Sequence, residues 1–150
     1  MTTRVERWFD AAPETVYSAL TDPVVGATWR VPEGMSIEVH KFQPTVGGAV
    51  RVSLTYDGQG VGKTSGSTDT YHGRFVELVP GRRVVEEDEF ETEDPGLRGV
   101  MRITIELAPE KGGTRLVAVH EGLPEAVPAA DNEAGWRSAL ERLAGHVERT

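Results

Sequence analysis

Apolar and polar residues alternate through the middle of this chain, from about Ser36 to Glu121, and take helical spacing only towards the two ends. Val50, Val52, Leu54 and Tyr56 alternate with Arg51, Ser53 and Thr55, the period of a strand wet on one face. The same reading gives strands at Val5 to Phe9, Ile37 to Phe42, Thr70 to Val79, Val84 to Phe90, Val100 to Leu107 and Thr114 to Glu121. Turn signals separate them: Pro44-Thr45-Val46-Gly47-Gly48, Pro80-Gly81, Asp94-Pro95-Gly96 and the hairpin Pro109-Glu110-Lys111-Gly112-Gly113. None of these connections needs a crossover, so the sheet is expected to be antiparallel.

Helical signals flank the strands. Asp10 is positioned to cap a short helix with Pro13 in its first turn, and Val16, Tyr17 and Leu20 share one face before Thr21-Asp22-Pro23 ends it. A second short helix is expected at about Val24 to Trp29. From about Ala130, Trp136, Leu140, Leu143 and Val147 fall on one stripe and Glu133, Arg137 and Glu141 on another. The pattern predicts an α+β domain: an antiparallel sheet of six or seven strands with a long C-terminal helix folded across one face, and two short helices after the first strand. A helix laid across a curved sheet leaves room for a cavity between them.

Composition narrows the choice of partner. The 150 residues suit one domain spanning 1–150, and 24 acidic against 16 basic residues give a net charge of -8, which repels a nucleic-acid backbone. With no cysteine there is no disulfide, thiolate metal site or thiol nucleophile. Met1 to Arg7 has no signal-peptide core and no apolar run is long enough for a membrane span, so a soluble, cytoplasmic protein is expected, monomeric or homodimeric.

Three patterns bear on chemistry. Gly58-Gln59-Gly60-Val61-Gly62-Lys63-Thr64 looks like a phosphate loop, but Asp57 stands where that motif needs glycine and Ser65-Gly66-Ser67-Thr68 starts no helix; a hairpin loop is the expectation. In Val84-Val85-Glu86-Glu87-Asp88-Glu89-Phe90-Glu91, alternation puts Val84, Glu86, Asp88 and Phe90 on one face and Val85, Glu87, Glu89 and Glu91 on a wet one. If the first face looks inward, Glu86 and Asp88 are carboxyls in a cavity, able to orient a ligand, move a proton or bind a cation. The alternative has them hydrated at the open end of the sheet or paired with arginines such as Arg74 or Arg102.

His120, at the end of its strand, is a further proton-transfer candidate, and His72 lies beside Tyr71 and Gly73. His40 and His146 are expected at the surface, and no histidine spacing suggests a metal or cofactor site. Trp29, Tyr71, Phe75, Phe90, Trp136 and Leu140 are the candidate walls, although residues of these types at such spacings more often form plain core. Gly73 inside a strand signals a bend or a close backbone approach.

These residues also carry a resemblance. Ala12-Pro13-Glu14-x-Val16, Trp29, Gly47-Gly48, Tyr71-x-Gly73 with Pro80, Gly113-Thr114, His120-Glu121-Gly122 and Gly135-Trp136 stand in family order over nearly the whole chain. The chain resembles the homologues of the activator of the ninety-kilodalton heat-shock chaperone's ATPase, within the START and pollen-allergen-like superfamily (SRPBCC). The resemblance implies the helix-grip fold and a cavity; the superfamily includes lipid carriers, polyketide cyclases, hormone receptors and stress-response proteins. The leading expectation is a non-enzymatic binder of a small hydrophobic or amphipathic molecule. The alternatives are a cyclase or dehydratase moving a proton on a polyketide-like substrate, and a partner of the heat-shock chaperone. Co-chaperone activity is discounted because in eukaryotic members it also needs a separate N-terminal domain.

Overall fold

Prolines and short polar caps set where the helices start, and glycine turns set where the strands reverse. In the computed structural model, which describes residues 1–57 and 67–148, the elements run β1 (Thr3–Phe9), α1 (Pro13–Leu20), α2 (Pro23–Trp29), β2 (Met35–Phe42), β3 (Ala49–Tyr56), β4 (Thr68–Val79), β5 (Arg83–Phe90), β6 (Met101–Glu110), β7 (Gly113–Glu121) and α3 (Ala129–Val147). The phosphate-loop-like stretch at 58–66 lies outside the described residues.

Pro13 opens α1, but its N-cap is Ala12 with no side-chain bond; Asp10, expected there, instead donates its backbone N–H to Glu148. Asp22 caps α2, its Oδ1 accepting from the N–H groups of Val24 (2.8 Å) and Val25 (3.2 Å). The β6–β7 hairpin turns through Lys111 and Gly112, both at positive φ (49° and 78°), as a two-residue turn of matching twist requires.

The seven strands form one antiparallel sheet in the order β1-β7-β6-β5-β4-β3-β2. Irregularities between Val39 and Lys41 and between Phe75 and Glu77 break the ladders of β2 and β4, and such bulges add local bend and twist. The sheet curls into a half-barrel around α3.

The concave face has two zones. At one end Val50, Val52, Phe75, Leu107 and Leu116 pack with Leu20, Leu140 and Leu143 into a closed core. Towards the other end the same strand faces continue as Leu54 and Tyr56, Tyr71, Glu86 and Asp88, Ile103 and His120, and there no core fills the space. The buried residues of α3, Ala139, Leu140, Leu143, Ala144 and Val147, all lie in its second half, which packs against β1, α1 and α2. Its first half stands off from the middle of the sheet.

This division corrects two expected walls. Phe75 is fully buried in the closed zone, its ring edge-on to Phe42 at 5.4 Å, and Leu140 lies a turn beyond Trp136 with no exposure at all. Neither reaches the cavity. Val85, expected on the wet face of β5, is also completely buried, opposite Glu77 beside the β4 irregularity.

Candidate functional site

Between the first half of α3 and strands β3 to β7 lies a cavity of about 740 Å³. Leu54, Ile103, Ile105, Phe90 and Trp136 give it apolar walls, and Glu33, Ala126 and Asp131 stand at its exposed rim. Of the expected site residues, Trp29, Tyr71, Glu86, Asp88, Phe90, His120 and Trp136 all line it.

β5 carries Glu86 and Asp88 inward with Val84 and Phe90, leaving the two acids 3% and 2% exposed. Their counter-charge is neither Arg74 nor Arg102. Those two bond Glu87 on the opposite face of the strand, at 3.5 and 2.9 Å, because a strand sends consecutive side chains to opposite sides. The partner is Arg30, at the end of α2, whose terminal nitrogens donate to both oxygens of Glu86 at 2.7 and 3.1 Å. Its guanidinium also lies 5.1 Å from the centre of the Phe42 ring and 5.5 Å from that of Trp29. Arg30 escaped the sequence reading. The available signal was indirect: two inward carboxyls require a buried cation, and Arg30 sits between apolar Trp29 and Val31.

The pair splits the two acids electrostatically. Burial alone would raise Glu86, but the Arg30 charge and its hydrogen bonds outweigh it and hold Glu86 below the usual carboxylate range. Burial pushes Asp88 well up, and the negative charge of Glu86 pushes it further. Neither Asp88 oxygen meets a hydrogen-bond donor among the described residues. Its contact with Glu86 becomes favourable only when Asp88 keeps its proton and its O–H donates to the Glu86 carboxylate. Tyr71 is likewise raised, by burial first, which keeps its phenol neutral.

Gly73 explains how Asp88 fits. It pairs with Asp88 across β4 and β5, and a Cβ there would clash with the Glu87 carbonyl oxygen and with Asp88 Oδ1. The missing side chain is the space the carboxyl uses.

His120 is tied differently. Trp136 Nε1 donates to its Nδ1 at 3.2 Å, and the amide of Asn132 approaches the same nitrogen at 3.3 Å. Thr3 Oγ1 donates to Asn132 Oδ1, which turns the amide's NH₂ towards the imidazole. Nδ1 is therefore an acceptor, and the proton sits on Nε2, 3.2 Å from Met101 Sδ. Burial lowers His120 to about 4, so the ring is neutral near pH 7 with both nitrogens engaged. It fastens the first half of α3 to the sheet. His72 faces the other side of the sheet between Glu89 and Glu91, and His40 and His146 are exposed.

Among the described residues no three histidines or acids are placed to hold a metal, and no helix is long and apolar enough to cross a membrane.

Comparison with known proteins places the chain among relatives of the same shape. The model of the family described as Activator of Hsp90 ATPase homolog 1-like protein matches residues 10–148. Protein CV1439 from Chromobacterium violaceum, known from its crystal structure, is 39% identical over 99% of this chain and 98% of its own, with a TM-score of 0.88. A Rhodobacter sphaeroides protein is 28% identical over 95% of this chain and 90% of its own, with a TM-score of 0.76. The AHSA1 protein from Silicibacter pomeroyi, 23% identical over 97% of this chain and 96% of its own, shares the fold at a TM-score of 0.76. No curated protein matches at a significant level.

Proposed function

Because the chain belongs to the Activator of Hsp90 ATPase homolog 1-like family, we propose that it uses the helix-grip cavity to hold a small, partly apolar molecule between the sheet and α3. The observation that carries this reading is the unfilled space itself. Well-packed interiors leave few voids larger than a water molecule, whereas ligand pockets occupy about 300–1,000 Å³, the range in which this cavity of about 740 Å³ falls. Its apolar walls suit a hydrophobic body, and the buried polar cluster of Arg30, Glu86, Asp88 and Tyr71 suits one oriented polar end.

Native mass spectrometry after mild purification, with extraction of whatever is bound, tests this. The expected result is mass above that of the chain, reduced in an Ile103→Trp variant that fills the cavity. Wild-type protein that carries nothing and takes up no apolar probe argues against it.

A second reading has one observation in its favour. Asp88 is a carboxyl held well above its ordinary range beside an ionised Glu86, an arrangement that can give up and regain a proton. A bound polyketide-like substrate could be cyclised or dehydrated there; solvent-isotope-sensitive turnover, lost in Asp88→Asn, is its signature. The family description also mentions a chaperone ATPase, and co-purification with that chaperone is the test of a partner role.

A further inference from the structure

Asp88 is the unusual group in this cavity. It is 2% exposed, it faces the interior, and both its oxygens lack a hydrogen-bond donor among the described residues. Its polar contact is the Glu86 carboxylate, to which it can donate only while it keeps its proton; once ionised, Asp88 has no hydrogen-bond donor among the described residues, which is where a counter-charge from a ligand would fit.

We propose that the ligand is a cationic amphipath, an amine or quaternary ammonium on an apolar body, with its positive end against the Asp88 carboxylate. This rests on the cavity-binding reading above and names the ligand class. Arg30 is the only guanidinium or ammonium among the described lining residues, and both its terminal nitrogens are committed to Glu86. Asp88 is left with no counter-charge of its own. At the rim Glu33 and Asp131 add negative charge, so a cation is drawn in and an anion is opposed. Around the cavity Trp29, Tyr56, Tyr71, Phe90 and Trp136 supply aromatic surface, to which an alkylammonium is attracted and a carboxylate is not.

The proton balance follows from the neighbours. The charged and titratable groups acting on Asp88 are Glu86 on the same strand, Arg30 at the end of α2 and Tyr71 on β4; Asp69 on β4 and His120 on β7 also line the cavity. Burial and the Glu86 charge favour the protonated form of Asp88 in the empty cavity. When a permanent cation docks, the Asp88 O–H bond breaks, its proton passes to solvent, and the carboxylate keeps the electron pair and faces the ammonium. Glu86 stays on Arg30 throughout. Binding therefore releases protons, and affinity for a permanent cation rises with pH until Asp88 is ionised in the free protein.

Isothermal titration of the whole protein with octyltrimethylammonium, 1-octanol and octanoate tests the idea. The cation is expected to bind about tenfold or more tighter than either other probe, the gain of one buried ion pair. Its affinity should rise from mildly acidic to mildly basic pH, with proton release read from the dependence on buffer ionisation heat. Asp88→Asn should abolish the preference of the site for the cation over octanol. Octanoate binding as tightly as the cation, a cation affinity flat in pH, or a preference that survives in Asp88→Asn overturns the proposal. The pH series uses wild-type protein, so its outcome does not depend on the variant folding. Octanol binding without cation preference removes only this inference; no binding of any probe removes the cavity reading with it.

Discussion

Arg30 and Glu86 form a two-point ion pair with side chains only 10% and 4% exposed. Breaking such a pair from one side leaves an uncompensated buried charge. Arg30→Met is expected to destabilise the fold by about 3 kcal/mol in urea unfolding, and Arg30→Met with Glu86→Gln should recover much of that loss. A single-variant effect indistinguishable from zero would show that the pair is solvated in solution. His120 makes a pH-dependent contribution of known sign. The unfolded imidazole gains its proton as pH falls through about 6.5, while the folded one resists down to about 4, so the unfolded state binds more protons in between. Stability from this group is therefore full above that window and lost as pH falls across it, by about 3 kcal/mol at its lower end. Asp88 works in the opposite direction, since its raised carboxyl favours the fold at low pH and that benefit is lost as pH rises. His120→Gln, which retains an acceptor for Trp136, should flatten the loss between about pH 6.5 and about pH 4 in urea melts compared with wild type; an unchanged slope contradicts the assignment.

Glycines distinguish the two elements that enclose the cavity. In β4, Gly73→Ala drives a methyl into the β5 backbone and the Asp88 carboxyl, and is expected to cost about 3 kcal/mol or more. In α3, a Cβ at Gly135 would meet only the Pro32 ring, at an ordinary 3.7 Å, so Gly135→Ala should stabilise by up to about 1 kcal/mol through helix propensity. Thermal unfolding of both variants reads the contrast, and a stable Gly73→Ala would mean that Asp88 does not occupy that space. The elements themselves were legible from local signals. Alternation placed β2 to β7 within a few residues, and the stripe from Trp136 to Val147 located α3. The inward face of β5 was legible because Val84 and Phe90 bracket its two acids. What local pattern could not show was how far the terminal helix stands off the sheet. Leu54 and Val52, or Trp136 and Leu140, look alike in sequence, yet one of each pair lines the cavity and the other fills the core. Arg30 stayed hidden for a related reason: its partner is 56 residues away, and sequence spacing carries no record of that contact.

At the scale of the whole molecule, the sheet and helix hold apart at one end what they pack together at the other. The closed end supplies the apolar burial that keeps the fold, while the open end keeps a hollow with one charged cluster at its floor. The thread from Thr3 through Asn132 and His120 to Trp136 pins the roof where packing alone does not. The isoleucines report on the cavity directly, because the chain has only three: Ile103 and Ile105 line it, while Ile37 on β2 lies one strand further out, paired with the wall residue Leu54. The most direct measurement is an isoleucine-methyl NMR titration of the intact protein with 1-octanol and with octyltrimethylammonium. Saturable shifts of the Ile103 and Ile105 methyls, larger than any at Ile37, are the predicted result. Shifts confined to Ile37, or no saturable shift at Ile103 and Ile105 with either probe, would contradict a ligand held between the sheet and α3.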